Sequence, residues 1–283
     1  MSGAGRVVYV WRKLASAKWE DAWVERLTGF ADRLAITQPA HAKMLRVEVF
    51  QLKKTEAEKL RRAFGGAVAV QKKVVPAAQA KPRAPIVIRG KLAVVTSERE
   101  RRAVRAGVPA MLIPAGMAFG TGDHATTSTC LRLLADLADE LRGRKWEMLD
   151  LGCGSGILGM AARVLGAARV EASDFDPHAV RTAKENVAAN HLKGVIIQKA
   201  DVREWHPART WDVVAANLFS GLLVEIAPKI AAATMSRGRL ILSGILRTQE
   251  TEVVAAYRRA DFRIERIVRK GKWIALLATR AEA

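Results

Sequence analysis

The stretch LDLGCGSG, Leu149–Gly156, carries an apolar run, EMLDL, into a turn with glycine at every second position. The apolar ILGMAARVLG follows directly. Strand, glycine turn and helix in that order read as the opening unit of a parallel α/β sheet. Ligands of such sheets bind outside the carboxyl ends of the strands, beside the first one, where glycines let backbone approach a ligand closely. GSGILG, Gly154–Gly159, also matches the dinucleotide fingerprint G-x-G-x-x-G. A pyrophosphate, however, is best met by bare N–H groups at a helix start, and Asp150 just before the turn would repel it. S-adenosylmethionine brings a sulfonium and an ammonium instead. The carboxylate therefore favours that cationic cofactor, with Asp150, Gly152, Gly154 and Gly156 as candidate binding residues.

Outward from this turn the chain alternates strands and helices, with candidate strands at 147–151, 169–174, 194–200, 211–217 and 239–243 and two more near 262–269 and 273–279. Alternation of this kind implies a mainly parallel, doubly wound sheet. The second strand ends in Asp174, twenty-two residues beyond Gly152, a distance at which a carboxylate accepts hydrogen bonds from ribose hydroxyls. That supports nucleoside binding without choosing between cofactors. Asp176, followed by Pro177, reads as the cap of the helix PHAVRTAKEN. Asp201, after the third strand, is placed to reach an adenine amino group or simply to cap a turn. The fourth strand delivers Asn217 to the same edge, where a buried amide costs free energy unless it is bonded. Of the two histidine roles open to His124, loop anchor and general base, the anchor is favoured, with Thr126 and Thr127 as caps of the helix TSTCLRLLADL.

Composition sets the limits. The chain has 283 residues, half of them hydrophobic, room for a substantial core and two domains. No apolar run approaches the ~20 residues that cross a bilayer, and no signal-peptide pattern opens the chain. Two cysteines, Cys130 and Cys153, are too few for a disulfide framework or a zinc cluster. No metal is expected, and the plain reading is a reduced, cytoplasmic protein away from membranes. The net charge is +19, with 23 Lys and Arg against 9 Asp and Glu in residues 1–110. A basic first third points to RNA, a ribosomal particle or an acidic protein face.

The first segment reads as β-α-β-β-α-β, the order of a ferredoxin-like sandwich. Its strands fall at 7–14, 34–37, 45–50 and 68–73. A helix is expected from Ser16, with Trp19, Trp23, Leu27 and Phe30 on its core face, and a basic helix from Thr55 that stops at Gly65-Gly66. VPAAQAKPRAP, Val75–Pro85, is a proline-rich, semi-rigid linker. Ile86–Thr96 reads as a hairpin turning at Arg89-Gly90.

The combination of PAGMAFGTGDHATTSTCLRLL, LDLGCGSGILGMAA, DFDPHAVRTAKENVAAN, VVAANLFSGLLVEIAP and LILSGIL resembles the PrmA family, methyltransferases of large-subunit ribosomal protein L11. FGTGxHxTT, then LDLGCGSG, then ANL is far more specific than the glycine turn alone. The resemblance implies an α/β fold, a Rossmann-like class I methyltransferase doubly wound sheet, preceded by a small α+β ferredoxin-like domain. It implies a substrate-recognition domain at 1–75, a linker and hairpin at 76–110 and an S-adenosylmethionine-dependent domain at 111–283. Thr127, Gly152, Asp174 and Asn217 match the family's cofactor positions, and Phe119, Gly120, Thr121 and Gly122 form the loop that would close over the methionine portion. Asn217 would also be catalytic, orienting an amine.

The implied reaction methylates lysine side chains or the N-terminal α-amine of a ribosomal protein, with ribosome or rRNA proximity and a monomeric state expected. The alternative is an RNA methyltransferase using the basic segment to hold rRNA. The stretch Asn217-Leu218-Phe219 lacks the Asn-Pro-Pro-aromatic turn of base-amino methylases, which argues against it. A small-amine methyltransferase leaves the first domain unexplained, and a non-enzymatic RNA-binding protein leaves Asp150, Asp174 and Asn217 without a purpose.

Overall fold

The computed structural model describes residues 8–16, 19, 22–23, 26–37, 44–70, 84–114, 122 and 124–282. They fall into two compact units, Met1–Lys81 and Pro82–Ala283. The linker expected at Val75–Pro85 lies largely outside the described residues.

In the first unit, strands β1 (Tyr9–Ser16), β2 (Leu34–Thr37), β3 (Met44–Leu52) and β4 (Ala67–Val70) form one sheet in the order β2-β3-β1-β4, every neighbouring pair antiparallel. Strict alternation in β3 sends Leu45, Val47 and Val49 into the core and leaves Met44 and Arg46 outside. Helix α1 (Lys54–Phe64) closes over that face through Ala57 and Leu60. It stops at Gly65 and Gly66, both at positive φ, and the Gly65 carbonyl accepts the Trp11 indole N–H at 2.8 Å.

Two expectations fail here. Ser16 is the last residue of β1, not a helix cap. Trp19 is 53% exposed whereas Trp23 is buried against Trp11 and Phe64. Thr28–Arg33 is a 3-10 segment with Phe30 at φ −126°; Trp23, Leu27 and Phe30 share one core as expected, and Trp19 is the exception. Most of 17–25 lies outside the described residues.

The second unit begins with β5 (Ile86–Ile88) and β6 (Leu92–Val95), an antiparallel hairpin whose corner residues Arg89 and Gly90 have φ of 52° and 69°. Left-handed values at both corner positions match the twist of the flanking strands. After the short α2 (Glu98–Arg102), β7 (Ala110–Leu112) joins β6 in parallel. This small sheet packs on α3 (Ala125–Glu140): Ile88, Leu92, Val94, Met111 and Ile113 share one core with Leu131, Leu134 and Leu137. The hairpin therefore belongs to the second unit and is no separate connector.

The remaining elements are β8 (Glu147–Leu151), α4 (Ile157–Val164), β9 (Arg169–Asp174), α5 (Pro177–Ala189), β10 (Val195–Lys199), β11 (Trp211–Asn217), α6 (Ser220–Glu225), α7 (Ala227–Ala233), β12 (Thr234–Leu246), α8 (Glu250–Arg259), β13 (Phe262–Lys270) and β14 (Trp273–Arg280). Their seven strands form one sheet in the order β10-β9-β8-β11-β12-β14-β13. The first five are parallel, and β14 inserts antiparallel between β12 and β13. This is the doubly wound, Rossmann-like sheet expected. Alternation splits its core cleanly: Met148, Val213, Ala215 and Ile241 face one helical layer, and Leu149, Leu151, Val214, Ala216 and Leu242 face the other. Strand order reverses between β8 and β11, the switch point at which such sheets take ligands. No helix among the described residues is long and apolar enough to cross a membrane.

Candidate functional site

The glycine turn lies at this switch point. Gly152, Gly154 and Gly156 all have positive φ, at 71°, 54° and 78°, values that a side chain resists. Four of its N–H groups are already committed. Gly152 and Cys153 both donate to the Ser173 carbonyl at 2.9 Å, and Gly156 donates to Cys153 at 2.8 Å. The Gly154 N–H goes to Asp174 Oδ2 at 2.9 Å. A turn that binds pyrophosphate must aim such donors at the ligand. This one spends four of them internally, a firmer argument against a dinucleotide than the sign of Asp150.

Asp150 itself corrects an expectation. It is 1% exposed and does not face the open edge; its Oδ2 accepts the Gly159 N–H at 3.0 Å from the first turn of α4. The cause is strand alternation, which places Asp150 on the side of Met148, the side α4 covers. Burial raises its pKa to about 7, opposed by the bond to Gly159. Asp174 is also buried. Its Oδ1 accepts the Asp176 N–H at 3.0 Å, and burial again raises its pKa against these backbone bonds. Asp176 caps α5 by accepting the His178 N–H, with Pro177 in the first turn, as expected. Asp201 Oδ1 accepts the Arg203 N–H at 2.8 Å, a turn-capping bond.

A carboxyl whose folded pKa is raised contributes stability that is complete below its unfolded value and is lost as pH rises through about 7. Asp150→Asn keeps an oxygen for Gly159 and removes this titration. The variant should gain on the parent protein as pH climbs from 4 to 8, by on the order of a few kcal/mol. Urea midpoints measured across that range test this, and a pH-independent difference between the two proteins would refute it.

Asn217 ends β11. Its Nδ2 donates to Thr126 Oγ1 at 3.4 Å, and Thr126 Oγ1 lies 2.7 Å from His124 Nδ1. His124 is the N-cap of α3: its Nδ1 accepts the Thr126 N–H at 3.4 Å. The anchor reading of His124 thus holds, but the cap is His124 and not the threonines. Burial, then the nearby Lys270, hold its pKa below the ordinary histidine value. Trp273, from the start of β14, meets the His124 ring edge-on at 5.3 Å, and Lys270 donates to Ser128 Oγ at 3.0 Å. Neither was singled out from sequence, because β13 and β14 are brought to this edge by antiparallel pairing, β14 on β12 and β13 on β14.

Gly122 (φ 90°) packs against Ile86, Val94 and Ile157. Phe119, Gly120 and Thr121 lie outside the described residues. Leu218 crosses the Gly152 side of the turn, where a Cβ would come within 2.3 Å of its Cδ2. Cys130 and Cys153 are buried, and burial pushes both thiols up, Cys130 to about 12, leaving them inert. No cluster of metal-ligating side chains occurs among the described residues.

Three buried side-chain oxygens near this edge, Thr127 Oγ1, Ser173 Oγ and Asn217 Oδ1, have no partner among the described residues, and neither has Asp150 Oδ1 on the face that α4 covers. Unpaired buried polar atoms are costly, and one of these, the Asn217 amide oxygen, can only accept from a donor. These oxygens therefore suit a ligand rich in N–H and O–H groups, such as S-adenosylmethionine.

Comparison with known proteins gives the same direction. A family model described as ribosomal protein L11 methyltransferase (PrmA) matches residues 75–281. A protein of that name from Heliobacterium modesticaldum is 39% identical over 170 residues, 60% of this chain and 52% of that protein. One from Pelobacter propionicus is 42% identical over 167 residues, 59% of this chain and 54% of that protein. The chain thus spans about half the length of the curated relatives it matches. The crystal structure of ribosomal protein L11 methylase from Lactobacillus delbrueckii subsp. bulgaricus superposes with a TM-score of 0.62 at 28% identity, covering 71% of this chain and 100% of that one.

Proposed function

This chain belongs to the PrmA family, and from that premise we propose that it transfers methyl groups from S-adenosylmethionine to amino groups of a ribosomal protein, L11 foremost. The observation that carries the reading is the set of unpaired oxygens on Thr127, Ser173 and Asn217 near the switch point, beside a turn with four N–H groups already spent. Thr127, Asp174, Asn217 and the turn glycines would hold the cofactor, with Asp150 supporting the turn from beneath. Bound there, S-adenosylmethionine supplies an electrophilic methyl group on a good leaving group.

The protein's part is orientation and desolvation. The Asn217 Nδ2 bond to Thr126 leaves Oδ1 without a partner among the described residues, and His124 holds Thr126 in turn. Asn217 Oδ1 then accepts one N–H of the incoming amine and aims its lone pair. A lysine ammonium ordinarily has a pKa near ~10.4, and leaving water favours its neutral form. His124 Nδ1 already serves Thr126, so its lone pair is engaged. Alignment of amine and methyl group in a dry site supplies a large part of the rate, within about 7–11 kcal/mol for good proximity effects.

The Met1–Lys81 unit is assigned to docking the protein substrate. Its β2-β3-β1-β4 order supports a ferredoxin-like reading. A fragment starting at Pro82 that methylates the whole ribosomal protein as fast as the full chain would remove that role.

The proposal is tested by incubating the protein with methyl-labelled S-adenosylmethionine and ribosomal extract. Label should appear on amines of one large-subunit protein, at a rate that rises with pH as the acceptor loses its proton. Label that resists protease and is released by ribonuclease would place the protein among RNA methyltransferases instead.

A further inference from the structure

The glycine turn is flexible by composition, with three glycines in five residues, yet one carbonyl in it is held from outside. Asn186, on α5, is 5% exposed, and its Nδ2 donates to the Ser155 carbonyl at 2.9 Å. The Ser155 carbonyl and the Gly156 N–H belong to one rigid peptide plane. That N–H closes the turn onto Cys153 at 2.8 Å. Fixing the carbonyl therefore fixes the closure. Ala183, three residues before Asn186 and on the same helical face, lies where a Cβ on Gly156 would come within 3.1 Å. Helix α5 thus both crowds the turn and bonds to it.

One helical turn further on, Asn190 extends the connection. Its Nδ2 donates to the Asn186 carbonyl at 2.8 Å and to the Leu112 carbonyl at 2.7 Å. Its Oδ1 accepts the Leu112 N–H at 2.7 Å and an Arg101 guanidinium N–H at 2.7 Å. The side-chain amide pairs with Leu112 as a neighbouring strand would. A continuous line of hydrogen bonds runs from the turn through α5 to the end of β7 and to α2. Nothing in the transfer reaction uses these groups directly.

We propose that Asn186 is a positioning residue for the cofactor turn, and that Asn190 anchors it to β7. The inference rests on the reading of the turn as an S-adenosylmethionine site. Without the Asn186 donor the Ser155 carbonyl loses the bond that fixes its direction, and its peptide plane gains freedom to rotate. The turn then samples geometries that do not fit the ligand, and affinity falls by the fraction of time spent in them.

The test uses the full chain and S-adenosylhomocysteine as the calorimetric probe. Asn186→Ala should weaken binding about tenfold, the worth of one buried hydrogen bond. Asn186→Asp, with the same shape but an acceptor in place of the donor, should be at least as weak. Cofactor KM should rise while kcat at saturating cofactor stays near the parent value. Val187→Ala, a half-buried neighbour on α5, is the control for general loosening: it should lower the thermal midpoint without changing affinity. Unchanged affinity in both Asn186 variants overturns the proposal. So does an equal loss of affinity in Val187→Ala at matched thermal midpoint. If the parent protein itself binds no S-adenosylhomocysteine, the site reading fails instead. The anchor is then judged by hydrogen exchange of the Gly156 amide, which should be about tenfold faster in Asn186→Ala; an unchanged rate overturns the proposal.

Discussion

Replacing Asn217 by alanine is expected to lower turnover by about two to three orders of magnitude, the usual cost of removing one preorganised polar group aimed at the reacting centre. Affinity for S-adenosylhomocysteine should change by only about threefold, because most ligand-facing groups remain. The separation follows from geometry. Asn217 reaches the edge from β11, one strand away from the turn on β8, and its side chain is anchored by Thr126 on α3. Its unpaired Oδ1 is the one amide oxygen among the orphaned atoms at this edge. Asn217→Asp keeps an oxygen at that place but loses the donor to Thr126, so it should recover only part of the rate. Stopped-flow turnover and calorimetry on the same preparations would decide. Equal losses in turnover and affinity would make Asn217 a cofactor ligand and nothing more.

Gly244→Ala carries the second large effect, this time on structure first. Gly244 lies in β12 at φ 83°, and a Cβ there would come within 2.3 Å of the Leu218 carbonyl oxygen and 2.8 Å of its carbonyl carbon. Backbone cannot swing aside as a side-chain tip can. The Leu218 N–H is meanwhile tied to the Ser243 carbonyl at 3.1 Å, and Leu218 follows Asn217 directly. Strain from positive φ alone costs about 1–3 kcal/mol, and the displaced backbone adds to it. The expected result is a loss of about 3 kcal/mol or more in urea unfolding, with activity reduced further than the folded fraction explains. Gly152→Ala should be milder in stability, since its close neighbour is the tip of a leucine side chain, yet it adds a methyl group on the ligand side. A Gly244→Ala protein with unchanged stability would mean that the Leu218 segment relaxes freely.

Much of the fold was legible in sequence because its signals are local. EMLDL before GCGSG, the alternation of strands with helices, and Asp176-Pro177 at the head of α5 are each decided within a few residues by periodicity and capping chemistry. Arg89-Gly90 as the hairpin corner is of the same kind. The misreadings share another kind of cause. Trp19 and Trp23 carry the same side chain at helical spacing, and only packing against Trp11 and Phe64 makes one of them core.

The sequence by itself determined the doubly wound sheet, the edge at which sheets of this kind take ligands, and the residue types gathered there. Tertiary structure decided what those residues do. Asp150 turns under the loop because α4 covers that face of β8; His124 becomes a cap because α3 begins at the next residue; the turn's N–H groups are spent because Ser173 and Asp174 arrive from β9. Asn186 reaches Ser155 across thirty-one positions of chain, and Asn190 reaches Leu112 across seventy-eight. The direction of a side chain at a strand end depends on which element packs over it, and that is set by burial summed over the whole domain, which no short window of sequence contains.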